Sequence, residues 1–271
     1  MAEGRAGNRA DGRAIRQLSR AAAVTALAGA IGGMALLAAE TLAARTRRYA
    51  SPDMQLAIRS TVGPAKAPTL RLVLLGDSTA LGVGVDQVAD TVGGQLAALL
   101  AEGPGGRRVE LSSVAVAGSH SSDLNIQVAR ALVGLRPDVA VILIGTNDAV
   151  RLARPTESAD QLAAAVRRLR DAGAAVVVGT CPDLGGTRAF AQPLRQLLGW
   201  HGRRLGRAQV EAVRAAGGVP VDLAERTGPV FRADAGTLCH DGFHPSADGY
   251  RVWAHALLPA VVAAVGGLRH P

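Results

Sequence analysis

The chain has 271 residues, of which 48% are hydrophobic, 3% aromatic and 19% charged, with a formal net charge of +8. That length supports one domain with a sizeable core beside an N-terminal appendage, and the scarcity of aromatics requires a core of Ala, Val and Leu. So basic a balance would ordinarily point to nucleic acid. Its distribution argues against such a partner: residues 1–50 hold eight arginines and three acidic residues, net +5, which leaves only +3 for the remaining 221.

In chain order, residues 1–20 form a basic tail carrying Arg5, Arg9, Arg13, Arg16 and Arg20. An uncharged run follows from Ala21 to Ala39, about the length of a membrane span. Its strongly inserting residues are only Val24, Leu27, Ile31, Leu36 and Leu37, together contributing roughly −1.5 to −3 kcal/mol. The readings are a transmembrane or signal-anchor helix over 21–44, a cleaved signal peptide, or an Ala-rich soluble helix. Five arginines before the run against Arg45, Arg47 and Arg48 after it orient an anchor with the N-terminus inside and the following domain outside, so the expected location is membrane-anchored or secreted. Residues 45–68, with Pro52, Gly63, Pro64 and Pro68, read as a linker, and 69–271 as the domain proper.

The domain opens with the apolar run Leu70 to Leu75, a buried strand, which ends in Gly76-Asp77-Ser78. A helical pattern near 91–102 leads to a strand near 108–116, ending at Gly118-Ser119-His120. There a glycine lets a backbone N–H approach a substrate closely. Ser121-Ser122-Asp123 is expected to cap a helix near 122–134. The run Val139 to Ile144, within a strand near 138–144, ends in Gly145-Thr146-Asn147-Asp148 and delivers an amide side chain at the strand's C-terminal edge. A helix near 157–172 and a strand near 174–180 follow. An Arg-rich amphipathic helix near 190–216, a strand near 218–222 and a helix near 246–265 complete the pattern. Strand and helix alternate throughout, which argues an α/β fold with a parallel sheet of about five strands and helices on both faces. In open sheets of this kind, ligands bind outside the carboxyl ends of the strands.

Between the last strand and the last helix lies Asp241-Gly242-Phe243-His244. A serine at a strand mouth with a late Asp/His pair supplies a nucleophile, a base and a group to orient the base. The order Ser, Asp, His also occurs in α/β-hydrolases, but their Gly-x-Ser-x-Gly elbow fails here because position 80 is alanine. Acyl transfer further needs donors aimed at the oxyanion, and Gly118 and Asn147 are the candidates.

Taken in order, Gly76-Asp77-Ser78, Gly118, Gly145-Thr146-Asn147-Asp148 and Asp241-Gly242-Phe243-His244 resemble the four signature blocks of the SGNH hydrolases, or GDSL esterases and lipases. The resemblance covers about residues 70–265 and departs from the family name at Thr79, where that name has leucine. It implies a flavodoxin-like three-layer αβα sandwich. It also implies Ser78 as nucleophile, His244 as base and acid, and Asp241 as its orienter. An oxyanion hole would come from the Ser78 N–H, the Gly118 N–H and the Asn147 amide.

The expected activity is hydrolysis of a carboxylic ester through an acyl-enzyme, on a small-molecule, lipid or glycan ester. Two other readings stay open: an acyl or acetyl transferase or deacetylase acting on cell-envelope polysaccharide, and a non-catalytic membrane-tethered module. No cofactor is expected, because Gly82 and Gly84 are not followed by the Gly-Lys-Ser/Thr of a phosphate loop. Cys239, His240, Asp241 and His244 lack the spacing of a metal site, so no metal is expected. Cys181 and Cys239, both near strand ends, either pair as a disulfide or remain separate thiols. His120 either lines the cleft or lies on the surface; His201, His255 and His270 read as solvated, and Asp77 and Asp148 as structural hydrogen-bonding groups.

Overall fold

The apolar runs read as strands are apolar throughout because both of their faces are covered, as the computed structural model of the chain shows. It describes residues 26, 29, 32–43, 49–50, 58–103 and 106–267. The chain divides into two units, Met1–Arg47 and Arg48–Pro271. In the first, 32–43 is helical. Among the described residues no helix is long and apolar enough to cross a membrane. Most of the first half of the expected anchor, and all of the basic tail, lie outside the described residues.

The second unit contains the strands β1 (Arg59–Val62), β2 (Thr69–Gly76), β3 (Arg108–Ser113), β4 (Val139–Leu143), β5 (Ala175–Gly179) and β6 (Val219–Val221). Its α-helices are α1 (Val92–Glu102), α2 (Leu124–Ala131), α3 (Thr146–Val150), α4 (Pro155–Asp171), α5 (Leu194–Ala215), α6 (Leu223–Ala233) and α7 (Ala247–Gly266). The sheet order is β1-β3-β2-β4-β5-β6. β1 pairs antiparallel with β3 and every other pairing is parallel.

Alternation along the central strands sorts their side chains into two cores. Leu70, Leu72 and Leu74 of β2 and Val139, Val141 and Leu143 of β4 point to one face, with Leu96 of α1 and Trp253 and Leu257 of α7. Val73, Leu75, Ala140 and Ile142 point to the other, with Val128 of α2, Leu162 and Val166 of α4 and Val213 of α5. This is the three-layer αβα sandwich. Burial of each such Val or Leu stabilises the fold by about 1.5–3 kcal/mol.

Three elements depart from expectation. The sheet has six strands rather than about five, because the short strand Arg59–Val62 falls inside the stretch read as linker. Its alternating, mostly polar Arg-Ser-Thr-Val carries little signal between Pro-rich neighbours, and an edge strand needs only one partner. α3 and α6 were not expected either; α3 has only five residues, and α6 carries Pro229 internally. Finally, Ser121, expected as part of a helix cap, lies in a 3-10 turn and hydrogen-bonds Asp148 instead.

The strand pairing also sets the backbone just ahead of Ser78. Gly76 has φ +135°, and a Cβ there would lie 1.8 Å from the Leu143 carbonyl oxygen of the neighbouring strand. Gly76→Ala is therefore expected to destabilise the chain by more than about 3 kcal/mol, since a left-handed strain and a backbone clash add. Urea denaturation of the purified variant checks this; a change under 1 kcal/mol (about a fivefold change in the folding equilibrium) would contradict it.

Candidate active site

β2 delivers Ser78 to the carboxyl edge of the sheet, and the turn behind it is held from three sides. Asp77 N–H donates to Leu143 O at 3.1 Å, Val83 N–H donates to Ser78 O at 3.0 Å, and the buried Tyr250 hydroxyl of α7 donates to Val83 O at 2.7 Å. The loop between α6 and α7 brings the late pair to the same edge. It is closed by the Leu238/Pro245 bridge and by Cys239 N–H donating to His244 O at 2.9 Å. His244 Nε2 lies 3.0 Å from Ser78 Oγ, and His244 Nδ1 lies 2.6 Å from Asp241 Oδ2. Ser78 is half-buried, while His244 and Asp241 are buried. The three groups named from the sequence therefore form a continuous hydrogen-bonded relay.

Asp241 is unusually well supplied with donors. Its Oδ1 accepts from Phe243 N–H at 2.7 Å, His244 N–H at 2.9 Å and the Cys239 thiol at 3.1 Å. Burial alone would push this carboxyl up. Hydrogen bonds from the His244 ring and from the backbone N–H groups of Ala50, His244 and Phe243 outweigh it and hold Asp241 well below the usual carboxylate range.

The oxyanion candidates Gly118 and Asn147 follow β3 and β4, the strands on either side of β2. Gly118 is exposed with φ +78°, and Asn147 lies in the first turn of α3, directly after Gly145 at φ +128°. Asn147 Nδ2 donates to Ser119 O at 2.9 Å, which ties the amide to the loop carrying Gly118. Asp148 fixes the same loop from below: it accepts from Ser121 N–H, from Ser121 Oγ at 3.0 Å and from Ser158 Oγ of α4 at 3.0 Å.

Two buried glutamines that carried no role in the sequence hold the strand ends together. Gln127 of α2 accepts from Gly76 N–H at 2.7 Å and donates to Gly76 O at 2.9 Å and to Ser119 Oγ at 3.0 Å. One side chain thus joins the nucleophile strand to the Gly118 loop. Gln209 of α5 accepts from Cys181 N–H at 2.8 Å and donates to Ile144 O at 3.1 Å. Their signal was position. Gln127 sits among Leu124, Val128 and Ala131, and Gln209 between Leu205 and Val213, at the helical spacing of a buried stripe.

The remaining conspicuous residues fall as follows. Cys181 and Cys239 are both free thiols, the first buried. His201, read as solvated, is buried in α5 with Nε2 3.0 Å from Ala153 O; the helix face it occupies packs inward. His120 is half-buried and its backbone N–H donates to Asp123 at 2.8 Å. His255 is exposed, and His270 lies outside the described residues. A cavity lined by His244, Phe243, Thr79, Phe231 and Trp253, among others, offers about 30 Å³ to the centres of water-sized molecules. That is room for about two waters.

With this geometry in place, comparison with known proteins is decisive. The model of the GDSL-like lipase/acylhydrolase family matches residues 74–252. The chain belongs to that family. A GDSL-like esterase of Mycobacterium tuberculosis is 47% identical over 194 residues, covering 71% of this chain and 62% of the relative. The match therefore spans less than two thirds of that relative's length. Two solved structures share the fold. An alpha/beta hydrolase enzyme from the metagenome of Lake Arreo, Spain, has a TM-score of 0.55 at 22% identity, covering 75% of this chain and 98% of that one. The lipase/acylhydrolase from Enterococcus faecalis has a TM-score of 0.54 at 22% identity, covering 74% and 97%.

Two expectations follow from the supports of the site. Gln127→Leu leaves the buried Gly76 N–H unpaired, while Gly76 O keeps the Val116 N–H, and is expected to cost about 1–3 kcal/mol of stability. Chemical denaturation checks it, and an unchanged midpoint would contradict the bridging role. Asp77 is buried, and burial pushes its carboxyl up to about 6 despite hydrogen bonds from the Thr79 N–H and hydroxyl and the proximity of His244; the nearby Asp148 adds to the rise. Its folded value lies above the unfolded one, so its protonated form contributes stability that is full below about 3.8 and lost as pH climbs through about 6. Asp77→Asn is expected to remove about 3 kcal/mol of that pH-dependent loss, read as the difference between the two proteins' stability curves from pH 4 to 7.

Proposed function

We propose that the chain is a serine ester hydrolase that cleaves carboxylic esters through an acyl-enzyme on Ser78. The observation that carries this is the relay from Ser78 Oγ through His244 to Asp241, at 3.0 and 2.6 Å. Asp241 accepts a hydrogen bond from His244 Nδ1–H, which leaves Nε2 free to take the proton of Ser78 as its oxygen attacks the ester carbonyl. The imidazolium then returns that proton to the leaving alcohol, and the acyl group stays on Ser78. Water enters, gives a proton to Nε2, attacks the acyl carbon and releases the acid with the serine hydroxyl restored.

Charge gathers on the carbonyl oxygen in both halves. The donors we assign to it are the backbone N–H groups of Ser78 and Gly118 and the side-chain amide of Asn147. An amide nitrogen has two hydrogens. One of those on Asn147 is spent on Ser119 O, which orients the other without loss of rotamer entropy during the reaction. The name of the mycobacterial relative, an esterase, supports the same reaction class. The intact relay argues against the reading as a non-catalytic module.

With p-nitrophenyl acetate as substrate, Ser78→Ala is expected to abolish turnover, and Asn147→Ala to lower kcat about 10²–10³-fold with KM little changed. Turnover by the Ser78→Ala protein at the wild-type rate would overturn the assignment.

A further inference from the structure

Two described residues well ahead of the sheet, Tyr49 and Ala50, touch the candidate active site. Ala50 N–H donates to Asp241 Oδ2 at 3.0 Å, across 191 positions of sequence. This is the same oxygen that faces His244 Nδ1. Beside it, the Tyr49 ring packs on Phe243 with centroids 5.3 Å apart and planes tilted by 56°. Phe243 in turn meets the His244 ring edge-on at 5.1 Å. Tyr49 and Ala50 are both half-buried.

We propose that Tyr49 and Ala50, which precede the catalytic sheet, are positioning residues of the active site: a strap whose N–H fixes the Asp241 carboxylate and whose ring fixes Phe243. This rests on the serine-hydrolase reading above. The physical case is directional. Oδ1 is held by the loop's own donors, from Cys239, Phe243 and His244. Apart from the histidine, the donor recorded on Oδ2 is Ala50. A charge-assisted bond from a backbone N–H is short and geometrically strict, so it fixes the carboxylate's rotation about its Cβ–Cγ bond in the plane the imidazole needs. The ring contact acts on the neighbouring residue, so backbone and side chain of the strap grip the same loop at two points.

The test uses the full chain, with p-nitrophenyl acetate and separate determination of kcat and KM. Ala50→Pro removes the N–H, whereas Ala50→Gly keeps it. Ala50→Pro is expected to lower kcat about tenfold, the lower end of what a hydrogen bond to a charged group is worth, with KM within about twofold. Ala50→Gly is expected at the wild-type rate. An unchanged kcat in Ala50→Pro, an equal fall in Ala50→Gly, or an effect confined to KM overturns the proposal.

Where Ala50→Pro gives no folded chain by circular dichroism, Tyr49→Ala decides. A lower kcat rescued by Tyr49→Phe sustains the strap, and wild-type kcat in Tyr49→Ala overturns it. Failure of the underlying reading looks different, because then Ser78→Ala itself would turn over.

Discussion

An ionised carboxylate buried beside a histidine is the constraint around which the catalytic end of this protein is arranged. Asp241 must stay charged to hold the imidazole in one tautomer, and burial opposes that charge. The answer is a concentration of donors: the Cys239 thiol, the Phe243 and His244 N–H groups, the His244 ring and Ala50 N–H. Supplying them dictates the loop. Gly242 takes φ +69° so that the chain can fold back and point two successive N–H groups at one oxygen. Its carbonyl is then tied down by Arg188 and Ala189 N–H.

The contrast with Asp77 shows that burial alone does not decide the charge of a carboxyl. Asp77 receives Thr79 N–H and Thr79 Oγ on one oxygen, while its Oδ2 is buried without a hydrogen-bond partner among the described residues, and burial wins. Asp241 has donors on both oxygens, and the donors win. Each carboxyl shifts stability in a different pH range. The depressed Asp241 contributes stability that is present above its unfolded value and lost as pH falls. The raised Asp77 contributes stability that is lost as pH rises through about 6.

Behind the reactive groups, the strand ends are registered by side-chain amides as well as by the sheet ladder. At its carboxyl edge a parallel sheet runs out of partners, and the buried N–H and C=O groups there still require them. Gln127 and Gln209 supply these, linking Gly76 to the Ser119 loop and Cys181 to Ile144. Asp148 does the same for Ser121 and Ser158. The geometry of the site is thereby inherited in part from helix packing, because Gln127 and Gln209 are carried by helices whose apolar residues are buried against the sheet.

Much of this was legible in the linear chain. Continuous apolar runs ending in Gly-Asp-Ser and Gly-Thr-Asn-Asp, together with a compact Asp-Gly-Phe-His, determined by themselves the α/β class and singled out Ser78, Asn147, Asp241 and His244 as the candidate site at one edge of the sheet. They could do so because catalysis demands particular functional groups, and short blocks at strand ends are the local way to place them. Only the tertiary structure decided what lies far apart in sequence. That includes the antiparallel strand Arg59–Val62, whose polar pattern acquires meaning only beside β3. It includes the burial of His201 and the inward role of two glutamines that read as ordinary helix residues. It also includes the contact of Tyr49 and Ala50 with the catalytic loop. A backbone N–H is the same in every non-proline residue, so no sequence pattern announces which one will meet a carboxylate 191 positions away.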